Sequence, residues 1–352
     1  MINEKIIDSH LHIEAWKNDS GSFIDGFEEH REVSGLASMN ICSVPSKYRI
    51  LTNNIMLGFY KLAHPNTYIH GSVDHIVPPN RDDMPKDMDL VTQYKEIMEL
   101  GFDGIKMLEG KPTYLKPLGG SLNTPSLDKL FSEMEKDGVH IVFHVNDPDE
   151  FWDKDRAPSW AFPDWFYGDG TYPSYEEIYS QVDKILSDHP NLKVTFAHFY
   201  FRSKEPQKLI ELFEKYPEVC VDLTPGTEMY GAFEDARDYY KEFFKKYSER
   251  VMVGTDGTFP WPTKGHAWCI DVLYRYLATD EAIMAFNDRI LTGINLPKEH
   301  KENILYKNFE RRVGDKPRAI NKAKFKAYID KYKHLLENDS LKEIEPLYNK
   351  YL

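Results

Sequence analysis

Residues 6–12 read Ile-Ile-Asp-Ser-His-Leu-His, and this stretch decides the fold. Two apolar residues open a strand, and two histidines at i and i+2 close it. Side chains at i, i+2 and i+4 share one face of a strand. Alternation therefore puts Asp8, His10 and His12 on one side, with Ile7, Ser9 and Leu11 on the other. Two imidazoles on one face can grip a single metal ion, with Asp8 one step deeper. An HxH pair by itself is a weak signal, because many chains carry one by chance. Its weight here comes from its place, at the end of the first in a series of short apolar runs.

Working outward, the runs lie at 5–8, 40–44, 68–73, 104–107, 140–144, 193–197, 219–223 and 251–254. Helix-like segments separate them at 47–63, 85–100, 126–137, 175–187, 204–215, 234–247 and 266–277. Eight strands alternating with helices predict an α/β fold, a closed parallel (β/α)8 TIM barrel. One domain spans 1–314, and a helical tail, 315–352, packs on its outside. An open doubly wound sheet is the rival, but the Gly-rich phosphate turn after its first strand is missing.

A barrel of this kind presents its reactive groups at the C-terminal ends of its strands. Three further ends carry ligand-type residues: His144 closes strand five, His198 follows strand six, and Asp256 follows strand eight. Any one of them alone reads as a cap or a satisfied polar group. Together with His10 and His12 they point to one centre, and imidazole with carboxylate suits Zn²⁺, Mn²⁺ or Fe²⁺. Lys106 near the end of strand four is read as a substrate contact or a buried ion-pair partner. His75, on the same rim after strand three, and Trp261, beside Asp256, are read as pocket walls. Arg202, four residues after His198, is a candidate for binding a substrate carboxylate, with a surface salt bridge as the default reading. Glu109 reads as a loop carboxylate, His140 as a packed histidine near the barrel bottom, and His266 as a helix-start residue. His30, His64, His189, His300 and His334 read as surface positions.

The connection after strand five, residues 145–174, is unusually long and holds Trp152, Trp160 and Trp165 among several Pro and Gly. Long loops in compact barrels are usually lids or pocket walls. Residues 151–172 are expected to cover the mouth of the site or to form an oligomer contact beside it, with the three tryptophans largely buried and Trp152 touching substrate.

Composition narrows the function classes. The 352 residues carry a formal net charge of −13, which excludes a basic nucleic-acid footprint and disfavours an anionic membrane surface. Three widely spaced cysteines form neither a disulfide framework nor a thiolate zinc site, so a reducing cytoplasm is expected. The N-terminal stretch does not read as a signal peptide, and no apolar run approaches the ~20 residues of a membrane helix. The expected partner is a small-molecule substrate, and a homo-oligomer remains compatible.

The quoted IIDSHLH, with GFDGIKM (101–107), HIVFH (140–144), VTFAH (194–198), VMVGTD (251–256) and NILYKNFERRVG (303–314), resembles the amidohydrolase superfamily. The resemblance is to its amidohydrolase-2 branch, which includes aminocarboxymuconate semialdehyde decarboxylase. It implies one divalent metal, zinc first, held by His10, His12, His144 and Asp256, with His198 on the attacking water or substrate; the superfamily's binuclear members use a modified bridging lysine at the end of strand four, where this chain has Lys106. It also implies a metal-dependent hydrolase acting on a small amide, ester or lactone, in which Asp256 relays the proton. Non-oxidative decarboxylation of a small unsaturated or aromatic acid is the alternative, and a non-catalytic barrel that kept the site by descent is a third. No GxSxG elbow, HExxH helix or phosphate loop is present to suggest other chemistry.

Overall fold

The computed structural model describes residues 4–13, 20–44, 49–74, 88–226, 228–259, 263–285 and 288–352. Strands β1 (Ile7–Ile13), β2 (Ser38–Ser43), β3 (Tyr68–Gly71), β4 (Gly104–Gly110), β5 (His140–Val145), β6 (Lys193–Phe196), β7 (Val219–Asp222), β8 (Val251–Met252) and β9 (Gly257–Phe259) form one parallel sheet. Its order is β8-β7-β6-β5-β4-β3-β2-β1-β9. β8 and β9 are two pieces of the eighth barrel strand. The first pairs with β7 and the second with β1. Between them Ser9 N donates to Val253 O at 3.0 Å and Asp256 N to His10 O at 2.9 Å. Those bonds join the two edges and close the (β/α)8 barrel.

The interior is filled in layers. At the bottom, Ile7, Tyr68, Cys220, Met252 and Phe309 make an apolar plug. Phe309 comes from the late helix Asn308–Val313, which seals that end. Above the plug runs a buried polar chain. Asn40 Oδ1 lies 2.6 Å from His70 Nδ1, His70 Nε2 lies 2.9 Å from His140 Nδ1, and His140 Nε2 lies 2.8 Å from Thr195 Oγ1. Gly104 makes room for this pair, since a Cβ there would meet His70 Nε2 at 2.3 Å and the His140 carbonyl oxygen at 2.4 Å. Above that chain lies the layer of His10 and Lys106.

The alternation expected for the first strand does not hold. Between Asp8 and Leu11, β1 advances three residues while β2 advances two, from Met39 to Ile41. This bulge flips the parity of the side chains. Ile7 faces the barrel interior, and His10 and His12 face it too, but Asp8 lies on the helix side. There its carboxylate accepts from Thr255 N at 3.1 Å and Thr255 Oγ1 at 2.6 Å, 3.8 Å from His30 Nε2. Other expectations are corrected as well. His30 and His189 are buried, because His30 is covered by the ring of His266 and His189 is packed on Phe131. Glu109 lies inside β4 and is fully buried, so it is not a loop carboxylate.

Residues 315–352 contribute the helices Lys322–Tyr332 and Asn338–Tyr351. The first lies against Leu90–Leu100, where Tyr332 Oη donates to Glu96 at 2.7 Å. The second lies against Ile50–Ala63, where Thr52 Oγ1 donates to Ser340 Oγ at 2.9 Å. No described helix is long and apolar enough to cross a membrane.

The buried His70–His140 pair has a consequence for acid stability. Burial pushes His140 from its ordinary 6.5 down to about 3 and holds His70 well below its usual value. Both rings stay neutral in the folded chain at pH values where the unfolded chain protonates them. Stability is therefore full above pH 6.5 and falls as pH drops towards 3, by on the order of a few kcal/mol. Urea midpoints at pH 7 and pH 4.5 should differ more for the parent than for His140→Gln, which cannot take up the proton.

Candidate metal centre

Three donors converge at the C-terminal mouth of the barrel. His10, His12 and Asp256 each offer a ligand atom, and these atoms lie within 4.8 Å of one another. His12 Nε2 is 2.8 Å from Asp256 Oδ1 and 3.1 Å from His10 Nε2. His10 Nε2 is 3.8 Å from the same carboxylate oxygen. The β1 ladder delivers both imidazoles. The kink in the eighth strand delivers the carboxylate, since Asp256 has φ +56° and its amide is tied to His10 O. Gly254 permits the kink, because a Cβ there would meet Thr224 Cγ2 at 2.8 Å and His10 Cβ at 2.9 Å.

A buried aspartate orients the first ligand. Asp222, at the end of β7, places Oδ2 2.8 Å from His10 Nδ1, with both side chains essentially sealed from solvent (1% and 0% exposed). This engages Nδ1 and leaves Nε2 aimed at His12 and Asp256. The other oxygen of Asp222 accepts from His198 N at 2.9 Å, Thr224 N at 3.1 Å and Thr224 Oγ1. One carboxylate thus ties together strands one, six and seven. The strand-end pattern contained this residue, since VCVD closes an apolar run with an acid as VMVGTD does, yet the sequence reading passed over it.

The electrostatics suit a cation. Burial, reinforced by Lys106, pushes His10 down to about 4 against the pull of Asp222, so its imidazole is neutral at pH 7. Burial alone would raise Asp256. The imidazoles of His198, His12 and His10 outweigh it and hold that carboxyl well below the usual range. Lys106 lies within β4, fully buried, with Nζ 2.8 Å from His10 Nε2, and burial lowers its pKa. Two imidazole nitrogens, a carboxylate and an ordered outer carboxylate are a donor set that fits one divalent metal ion.

The remaining expected residues are placed as follows. His198 sits on this rim, its ring 6.1 Å from that of His10 and 4.9 Å from that of His144. His144 ends β5 on the same mouth but stands outside the three-donor group. Its Nε2 lies 2.8 Å from the Asn146 carbonyl and 3.4 Å from Asp147 Oδ1. Burial, then Lys111, pushes its pKa down to about 3. Arg202 is buried against Tyr179, with its guanidinium 3.5 Å from that ring centroid, and is paired with Glu176 and Glu205. His75 and Trp261 lie outside the described residues.

The loop after β5 is tethered to the mouth. Lys111 reaches both oxygens of Asp147 at 2.6 Å, and Tyr167 Oη donates to Asp147 at 2.6 Å. Phe151, Ala161 and Tyr167 form its own small core, with Trp152 half-buried against it. Trp160 and Trp165 are not buried as expected. They are 54% and 42% exposed, because this small core is completed without them. Trp165 instead stands over Lys111, 5.2 Å from its ammonium.

Residues 82–312 match the family model described as amidohydrolase. Among solved structures, a TIM-barrel protein from Bordetella bronchiseptica covers 88% of this chain and 98% of its own, at 15% identity and TM-score 0.56. A probable 2-pyrone-4,6-dicarboxylic acid hydrolase from Acinetobacter baumannii covers 88% and 99%, at 13% identity and TM-score 0.53. A dihydroxybenzoic acid decarboxylase from Polaromonas sp. JS666, with bound manganese and 2-nitroresorcinol, covers 88% and 96%, at 11% identity and TM-score 0.53. At such identities the likeness is one of fold. No match is found among curated proteins.

If Asp222 orients the first ligand, Asp222→Asn should leave the barrel folded and weaken metal binding by roughly 10–100-fold. Competition against a chelator of known affinity measures this. An unchanged affinity would remove Asp222 from the site.

Proposed function

The chain belongs to the amidohydrolase family, and from that premise we propose that it is a metal-dependent hydrolase of a small amide, ester or lactone. The convergence of His10, His12 and Asp256 on one point of the barrel mouth carries this reading. These residues would hold one divalent ion, with zinc proposed first and manganese or iron as alternatives that the same imidazole and carboxylate donors accept. His144 is proposed as a further ligand, on the strength of its place near the end of β5 on the same mouth, its ring 4.9 Å from that of His198. The bound ion would supply Lewis acidity, activating water at neutral pH and polarising a substrate carbonyl.

The rest of the chemistry falls to the chain. Asp256, ionised and open on one side (36% exposed), would accept the proton of the attacking water and return it to the leaving group. His198, with its backbone amide fixed on Asp222 and Thr224, faces the same mouth and would hydrogen-bond the developing negative charge. Lys106 adds a buried amino group 2.8 Å from His10 Nε2. Trp152 would border the substrate, and His75 and Trp261 are proposed for the remaining wall. Arg202 is tied up in ion pairs, so a substrate role for it would require breaking them.

Decarboxylation of a flat unsaturated or aromatic acid is the second reading. Lys106 favours it, because a buried amino group 2.8 Å from a ligand nitrogen could hydrogen-bond a substrate carboxylate. The same fold occurs in the dihydroxybenzoic acid decarboxylase above. On either reading the partner is a small molecule and not a nucleic acid or a membrane. A cytoplasmic location is proposed from the three buried, free cysteines.

The test combines metal analysis of the purified chain with two assays run in parallel. One follows hydrolysis of a panel of esters, lactones and amides. The other follows CO₂ release from unsaturated and aromatic carboxylic acids. About one divalent ion per chain with acid or amine release supports hydrolysis, CO₂ release supports decarboxylation, and neither metal nor turnover rejects both. On whichever substrate turns over, His198→Ala should cost roughly 10²–10³ in rate with metal content nearly intact. Asp256→Asn should cost roughly 10²–10⁴ through loss of the proton acceptor and also lower the metal content.

A further inference from the structure

The backbone from His198 to Phe201 coils in the opposite sense to an ordinary helix. Its φ angles are +55°, +53°, +58° and +49°, so four consecutive residues lie in the left-handed region. None is a glycine. L-residues avoid this region because Cβ crowds the following carbonyl oxygen. Such a turn persists only where its surroundings over-determine it.

The ring of Phe199 packs on Phe233 and Phe243, and the carbonyls of the turn are held from the helix Tyr175–Asp188. Tyr179 Oη donates to Tyr200 O at 2.8 Å, and Tyr175 Oη donates to Phe201 O at 2.7 Å. The two tyrosines are four residues apart, on one helix face, and their oxygens lie 3.2 Å from each other. Arg202 closes the arrangement, lying 3.5 Å from the Tyr179 ring centroid and 5.1 Å from that of Tyr175, anchored on Glu176 and Glu205. At the start of the turn, His198 N is held by Asp222 and Thr224. With both ends pinned, the His198 and Phe201 rings stack at 5.0 Å, and both contact His144, at 4.9 and 5.5 Å.

We propose that Tyr175 and Tyr179 are positioning residues for His198: their hydroxyls hold the carbonyls of Phe201 and Tyr200, keep the turn left-handed and set the direction in which His198 faces the centre. This rests on His198 belonging to the site, but not on which reaction the site performs. Tyr175 also links the turn to the aromatic loop. Trp152 contacts its ring at 5.4 Å and donates Nε1–H to Pro173 O at 3.0 Å.

The test uses the full chain as purified, with Tyr175→Phe and Tyr179→Phe made singly and together. Tyr94→Phe is the control, because its hydroxyl donates to Asp137 at 2.9 Å on a different helix. Two readouts need no substrate. One is the ring ¹³Cε1–¹H signal of His198, assigned by its loss in His198→Gln. The other is native-state cleavage by chymotrypsin after Phe199, Tyr200 and Phe201. The tyrosine variants should shift or double the His198 signal and speed cleavage at the turn by about tenfold, the factor that losing one hydrogen bond gives. The control should do neither at a comparable loss of thermal midpoint. A double variant with an unmoved His198 signal and control-like cleavage overturns the proposal. Should the double variant not fold, Tyr175→Phe decides by the same two readouts. A moved signal with turnover indifferent to His198→Gln would instead remove His198 from the catalytic reading and leave the positioning role standing.

Discussion

The contact on which the site depends is the bond between Asp222 and His10, 2.8 Å long and closed to solvent on both sides. A buried carboxylate is costly unless its lone pairs are filled. Asp222 fills them with an imidazole from β1, the backbone amides of His198 and Thr224, and the Thr224 hydroxyl. Satisfying that one group fixes three strands relative to one another at the barrel mouth. It also selects which nitrogen of His10 is presented to the other donors, which simple convergence of histidines would not do.

Around this bond the mouth is built from backbone that departs from regular strand. β1 bulges before His10, the eighth strand breaks so that Asp256 can adopt φ +56°, and β6 runs into a left-handed turn at His198. Each departure re-aims a side chain that a straight strand would send elsewhere. The left-handed residues cost roughly 1–2 kcal/mol apiece. The turn at His198 is held by the hydroxyls of Tyr175 and Tyr179, while a plug capped by Phe309 and a chain of buried histidines brace the barrel below. The stiff lower half carries a strained upper rim, the usual division in this architecture.

Much of this was legible from local pattern. Alternating apolar runs predicted the barrel because a closed parallel sheet buries every strand on both faces. Residues such as His10, His12 and Asp256 stood out because a polar group that ends a buried run needs a reason. The same test applied to β7 points at Asp222. Alternation failed at Asp8, since a bulge is a choice made between paired strands and leaves no mark on one strand read alone. Exposure was misjudged for Trp160 and Trp165, because a loop of 30 residues can build a small core from some of its aromatics and leave others out.

By itself the sequence determined the order of strands and helices, the imidazole and carboxylate chemistry of the strand ends and the acidic net charge. These depend on periodicity and residue type, which act over a few positions of chain. Tertiary structure alone decided which donors meet, that Asp8 turns away from them and that Arg202 serves Tyr179 and two glutamates. It also decided that His198 begins a left-handed turn held by Tyr175 and Tyr179. Those facts turn on distances between residues up to 247 positions apart. Only closure of the barrel, which brings the eighth strand back against the first, brings such residues within hydrogen-bonding range.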